Sequence, residues 1–187
     1  MRLPLVAALA VSAVLLASCG STASTSASSV LWSSGSVKMM VPKTWTPVAS
    51  KDVIVPAQGM FVLGMRGLEK YGEFENLNVV ADDLAVAVSS GDYADTNFSL
   101  MSAKLASETP LGTKSVTFAD SGTGKIRTFE GKYNASTNVK RYVQTARVCG
   151  KKAYVATYTL SATTKDMTEY ETLLKTFSCV TAAPAAQ

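Results

Sequence analysis

Four alternating segments, at residues 115–119, 125–133, 139–148 and 152–160, are separated by three connections too short to contain a helix. Parallel pairing needs a crossover of a dozen or more residues, so strands joined this closely must run antiparallel. The connections agree: Asp120-Ser121-Gly122-Thr123-Gly124, Asn134-Ala135-Ser136-Thr137 and Gly150-Lys151 are rich in residues that accept turn geometry. The stretch predicts a four-stranded meander and commits the second half of the chain to a sheet.

Upstream, Val30-Leu31-Trp32 and residues 36–41 read as short strands, broken at Ser34-Gly35 and stopped by Pro42. Pro42-Lys43-Thr44-Trp45 reads as a turn that returns a large indole to the core. The nearly continuous apolar run at residues 60–65 predicts a central strand buried on both faces. Residues 76–80 predict a further strand, with Leu77 and Val79 alternating against Asn78.

From Asp92 the period changes. Ala94, Phe98, Met101 and Leu105 form a helical stripe, Asp92 and Asp95 suit the positive N-terminal end, and Pro110 marks the stop. A closing helix carries Met167, Tyr170, Leu173, Leu174 and Phe177, with Thr163-Thr164-Lys165-Asp166 as a variant capping box. The expected fold class is α+β: an antiparallel sheet of about six strands with helices packed on it.

The N-terminus states an address. Arg2 precedes an apolar run that ends in Leu16-Ala17-Ser18-Cys19, too short for a transmembrane helix and preceded by small residues as a lipoprotein cleavage site requires. Residues 1–18 are therefore expected to be a removed export signal. Cys19 is the expected lipidation site, carrying diacylglycerol and an N-acyl chain such as palmitate; two or more chains hold a protein stably at a membrane. Residues 19–29 form a Ser/Thr-rich tether, 30–181 a single domain and 182–187 a disordered tail. The expected location is the extracytoplasmic face of the cell membrane.

Beyond Cys19 the sequence has Cys149 and Cys179 alone. Two thiols in an oxidising compartment tend to pair, which predicts a Cys149/Cys179 disulfide. Two buried free thiols and a redox pair remain as alternatives, the latter weakened by the lack of a CxxC spacing.

The strand-Pro-x-x-Trp pattern (Val41-Pro42-Lys43-Thr44-Trp45) is followed by Glu75-Asn76-Leu77-Asn78-Val79-Val80 before a helix. It is completed by the strand from Tyr154 to Leu160 before a helix ending Leu174-Lys175-Thr176-Phe177. Together these resemble the PsbP-like fold, and more closely the actinobacterial lipoproteins of the LpqN type. The resemblance covers most of residues 30–180 and implies an α/β/α sandwich used as a non-catalytic binding or accessory module. It brings no catalytic residues and no cofactor.

The residues themselves point the same way. There is no histidine, which removes His-based nucleophile activation, His acid/base work and the usual zinc sites. The Ser-x-x-Lys element of penicillin-binding enzymes is absent, and Thr137/Lys140 and Thr172/Lys175 offer its spacing with threonine alone. Gly122-Thr123-Gly124-Lys125 lacks the first glycine and the following hydroxyl of a phosphate-binding loop, with Ala119 and Ile126 in those places, and reads as a hairpin turn. Asp82-Asp83 would point to opposite sides of an extended segment and reads as a solvated loop rather than a metal site. Asn97-Phe98-Ser99 and Asn134-Ala135-Ser136 match the N-glycosylation pattern but carry no meaning in a bacterial lipoprotein.

Charge is the unusual distribution. Lys125, Arg127, Lys132, Lys140, Arg141, Arg147, Lys151 and Lys152 give residues 125–152 a net charge of +7, while residues 69–95 carry −6. The eight cations are candidate contacts for an anionic lipid or envelope polymer. Nucleic acid is not an expected partner, because the aromatics are not interleaved with the cations. The expected function is a membrane-anchored, non-catalytic binding or accessory module for an envelope protein or anionic envelope component. The alternative is a carrier holding an acyl chain or other apolar ligand between sheet and helix, lined by methionines.

Overall fold

A computed structural model describes residues 29–49, 59–70 and 72–180. The expectations for the export signal, Cys19, the tether before Ser29 and the tail at 182–187 lie outside them. The described elements are β1 (Ser29–Ser34), β2 (Val37–Pro42), β3 (Thr46–Pro47), β4 (Met60–Lys70), β5 (Glu73–Asp83) and α1 (Ser90–Ser102), then β6 (Ser107–Thr117), β7 (Thr123–Lys132), β8 (Lys140–Cys149), β9 (Lys152–Ser161), α2 (Thr168–Lys175) and β10 (Ser178–Cys179).

Seven strands form one antiparallel sheet in the order β3-β4-β5-β9-β8-β7-β6, and β1-β2-β10 form a second. The expected α+β class is the observed one, with the main sheet near the expected strand number. The meander is present as β6 to β9, each strand paired with the next. Its first turn is the expected hairpin, closed by Phe118 N–H donating to the Gly122 carbonyl.

Alternation assigns the layers. Leu77 and Val79 of β5, Ala156, Tyr158 and Leu160 of β9, and Val143 of β8 turn to one face. There they meet Val37, Met39 and Val41 of β2 and Tyr170, Leu173 and Leu174 of α2. Each such side chain taken out of water contributes roughly 1.5–3 kcal/mol, so this layer is the main source of stability. Trp45 joins it, edge-on to Tyr158 at 5.5 Å. A Cβ at Gly67 would fall 2.6 Å from the indole, so only glycine lets β4 pass so close. The other face carries Val80, Val155 and Ala146 beneath Ala94 and Phe98 of α1, which packs on β7 and β8.

Four sequence expectations change. The run at residues 60–65 is not a central strand: β4 has only the two-residue β3 on its outer side, Met60 is exposed and a bulge interrupts it between Phe61 and Leu63. The first helix ends at Ser102, before Leu105, and Pro110 lies inside β6. An edge strand tolerates proline because no outer neighbour needs its N–H, and a bulge adjoins it at Gly112. The second helix starts at Thr168 without a side-chain cap, while Asp166 Oδ1 accepts from Thr168 N–H at 2.8 Å. Phe177 lies beyond its end, fully buried. α1 carries the better cap: Ser89 Oγ accepts from Asp92 N–H and donates to Asp92 Oδ2.

Candidate functional site

Opposite charges that are distant in sequence meet in the fold. Lys140 pairs with Glu73, Lys152 with Asp83 at 2.7 Å and Lys125 with Asp95 at 2.5 Å, so the basic and acidic stretches meet and offset part of each other's charge. Arg141 holds Glu130, and its guanidinium also donates to the Thr164 carbonyl. Arg127 and Arg147 are buried, against Glu108 and Asp120 and over the rings of Phe129 and Phe118. Of the eight cations expected to contact an anionic surface, Lys132 and Lys151 alone lack an ion pair among the described residues. The guanidiniums of Arg127 and Arg147 are out of reach of any outside anion.

Local structure explains these pairs. Arg147, on β8, donates to Asp120 Oδ2 in the β6–β7 turn, and the same oxygen accepts from Cys179 N–H on β10. Burial opposes a charge on Asp120, yet the N–H groups of Cys179 and Gly122 and the Arg147 side chain outweigh it and hold the carboxyl below the usual range. Cys149 and Cys179 are bonded here, with Cα atoms 5.5 Å apart, stapling β10 to β8. Glu75 is buried on the core face, accepting from Thr164 Oγ1 and the Tyr170 hydroxyl, and so ties β5 to the start of α2.

The face beneath α1 is polar in its middle. Asn78, Thr157, Gln144 and Arg127 stand in register across β5, β9, β8 and β7, all buried. Gln144 Nε2 donates to Thr157 Oγ1 at 2.9 Å and Arg127 to Gln144 Oε1 at 3.4 Å. Both amide atoms of Asn78, 1 % exposed, have no hydrogen-bond partner.

One step along the same face, next to that row, a cavity of about 140 Å³ opens between Asn76, Tyr142 and Thr159 on the strands and Tyr133, Thr137, Asn138 and Lys140 around the β7–β8 connection. Tyr142 stacks on Phe129 at 4.7 Å and is 4 % exposed; burial pushes its hydroxyl up to about 12. It stays protonated at neutral pH and makes no hydrogen bond among the described residues. Asn76 Oδ1 is buried without a partner. Lys140 and Asn138 both hold Glu73, whose carboxyl they keep below the usual range. The charges at the cavity thus offset each other, and its wall carries polar side chains and two tyrosine rings. A second cavity, of about 60 Å³, lies at the other end, where the Tyr93 hydroxyl donates to Asp82 beside Asn97 and Lys104.

In the larger cavity the Thr137 hydroxyl is held by the Asn134 backbone and Lys140 by Glu73, so the two are not paired with each other. No group of three or more metal-ligating side chains occurs among the described residues. Asp82 and Asp83 point to opposite sides as expected, one to Tyr93 and the other to Lys152, but they end strand β5 rather than lying in a solvated loop, because both pair with β9. Of the two glycosylation-type asparagines, Asn97 is buried on α1 and Asn134 sits in an exposed turn. Of the cavity residues, sequence analysis singled out Thr137 and Lys140, for other roles, and missed the grouping, although Asn76 and Asn78 alternating with Leu77 and Val79 already mark one strand face as polar.

The fold has solved counterparts. The solution structure of cyanobacterial PsbP (CyanoP) from Synechocystis sp. matches with a TM-score of 0.57 at 16 % identity, covering 88 % of this chain and 99 % of that one. The fold is PsbP-like. The Saccharomyces cerevisiae Ran-binding protein Mog1p matches with a TM-score of 0.50 at 9 % identity, covering 80 % and 93 %. At these identities the likeness establishes architecture and nothing further. No family model and no curated protein matches the sequence.

Proposed function

We propose that the protein is a lipoprotein of the LpqN type, anchored through Cys19 on the extracytoplasmic face of the membrane, and that its PsbP-like body binds an envelope component without catalysis. The observation that carries the binding half of this reading is the cavity at Asn76, Tyr142 and Thr159, where the Tyr142 hydroxyl makes no hydrogen bond among the described residues while Lys140 and Glu73 beside it satisfy each other. Such a site suits an uncharged, hydrogen-bonding group on a protein or polymer; a strongly charged one would leave its counter-charge unmet. It lacks the paired, shifted acid and base that proton transfer requires. That one structural neighbour is described as Ran-binding supports use of this architecture for protein contacts.

The carrier alternative has less support. Met39 and Met65, which would line an apolar chamber between sheet and helix, are packed in the core. Contact with an anionic polymer through the eight cations is likewise weakened by their ion pairs.

Cell fractionation tests the anchor. Cys19→Ala is expected to move the protein from the membrane to the soluble fraction, and retention after a salt wash would refute lipid anchoring. Incubating the purified protein with envelope extracts tests the second half, since turnover of any component would refute a non-catalytic role.

A further inference from the structure

The three-stranded sheet is chemically unlike the rest of the surface. Residues 29–49 contain two lysines and no acid, whereas elsewhere cations are mostly paired. Register defines its outward face: Val37, Met39 and Val41 of β2 turn to the core, so Lys38 turns away beside Ser33 of β1, with Leu31 of β1 on the same side; Met40, opposite Leu31, is half-buried and packs against the core. Leu31 is 59 % exposed, and Val180, just beyond β10, is also open. Lys38 and Lys43 are exposed and make no ion pair among the described residues.

This sheet is also where the chain arrives from Cys19. Nine residues separate Cys19 from Ser29, which at full extension span at most ~35 Å. A short tether of Ser, Thr, Ala and Gly therefore keeps β1 close to whatever holds the cysteine. The cavity lies on the opposite side: Asn76, Thr159 and Tyr142 share the α1 face of the large sheet, and the small sheet packs on the other.

We propose that the outward face of the three-stranded sheet, centred on Leu31, Ser33 and Lys38, rests on the anionic bilayer surface that anchors the chain, and that this contact turns the cavity away from the membrane. The inference rests on the anchoring reading above and adds an orientation to it. A lysine without an ion pair is attracted to anionic headgroups, and an exposed apolar side chain beside it, here Leu31, enters the headgroup boundary. Neither element suffices alone; the lipid anchor supplies the local concentration that makes a small contact effective.

The test uses full-length lipidated protein in vesicles of phosphatidylglycerol and phosphatidylcholine, with a nitroxide on Ser33→Cys or, for comparison, on Ser136→Cys in the β7–β8 turn. Power-saturation spectra then compare accessibility to oxygen with accessibility to an aqueous nickel chelate. The expected result is a label at 33 shielded from nickel and open to oxygen, a label at 136 open to nickel, and loss of the difference in a Leu31→Asp, Lys38→Glu background or at high salt. Equal nickel accessibility at both positions, with the protein still vesicle-bound, would overturn the orientation and leave the anchor standing. Failure of the lipidated chain to stay on vesicles would overturn the anchor, and the orientation with it.

Discussion

On the face of the large sheet that meets α2 and the small sheet, Leu77, Val79, Ala156, Tyr158 and Leu160 close against Val37, Met39, Leu174 and Phe177. On the face beneath α1, Asn78, Thr157, Gln144 and Arg127 cross the middle of the sheet, and a cavity opens at one end. The same strands build both faces, so backbone and propensity do not separate them. What separates them is the choice of side chain at every second position. The α2 face is dense because most of its side chains are aliphatic or aromatic, with Glu75 tied to Thr164 and Tyr170 and the Tyr158 hydroxyl as its exceptions, whereas the α1 face carries more of the atoms that packing leaves unsatisfied, on Asn76, Asn78 and Arg127. One face holds the fold together, and the other carries the cavity on which the proposed function rests.

The comparison breaks most readily through the dry face. Phe177→Ala is expected to cost about 4 kcal/mol in urea denaturation, with a raised sensitivity to proteolysis; a cost below that of a surface change would mean the layer is not where stability resides. Replacing Cys149 and Cys179 together by serine removes a staple of thirty residues' separation and is expected to cost about 3.6 kcal/mol on the chain-entropy account, read from the same titration.

The polar face should behave differently. Arg127→Ala strands Glu108 in a largely buried position and is expected to cost about 3 kcal/mol, and adding Glu108→Gln should recover part of it. A double-mutant cycle measures that coupling, and simple additivity would count against the pair. Asn78→Leu removes two unsatisfied atoms from the same row and is expected to raise stability by about 1 kcal/mol, the opposite sign from truncation on the dry face. A loss there would show that Asn78 has partners that matter to the fold.

The smallest effect concerns pH. Asp120 has a folded pKa below its unfolded one, so the stability it contributes is complete above the ordinary carboxylate range and is lost as pH falls through the folded value. Asp120→Asn should therefore flatten the acid limb of the stability profile, as measured by thermal unfolding between neutral and strongly acidic pH. An unchanged slope would remove Asp120 from the account.

Much of the architecture was legible before the structure. The turn-forming connections disclosed the meander, and the stripe of Tyr170, Leu173 and Leu174 disclosed α2. The reading of residues 60–65 as central failed because an apolar run reports burial of some kind without saying what lies beside it. Pro110 misled because proline ends helices but also sits comfortably in an edge strand. β10, two residues long, leaves no periodic signal at all. The charge of residues 125–152 marked its cations as contacts for an anionic surface, yet β5 lies beside β9 and close to β8, which brings Glu73 to Lys140 and Asp83 to Lys152. Pairing of this kind is a property of strand order. The cavity was hidden for the same reason, since Asn76, Thr159 and Tyr142 become neighbours only through register.

Photo-crosslinking in intact cells tests the central claim most directly. A photoreactive phenylalanine in place of Tyr133, at the cavity, is predicted to capture an envelope component in the membrane fraction, while the same probe in place of Leu111, on the exposed edge strand β6, captures little. Capture from Leu111 but not from Tyr133, or no capture from either, would contradict a binding module whose site lies on the α1 face.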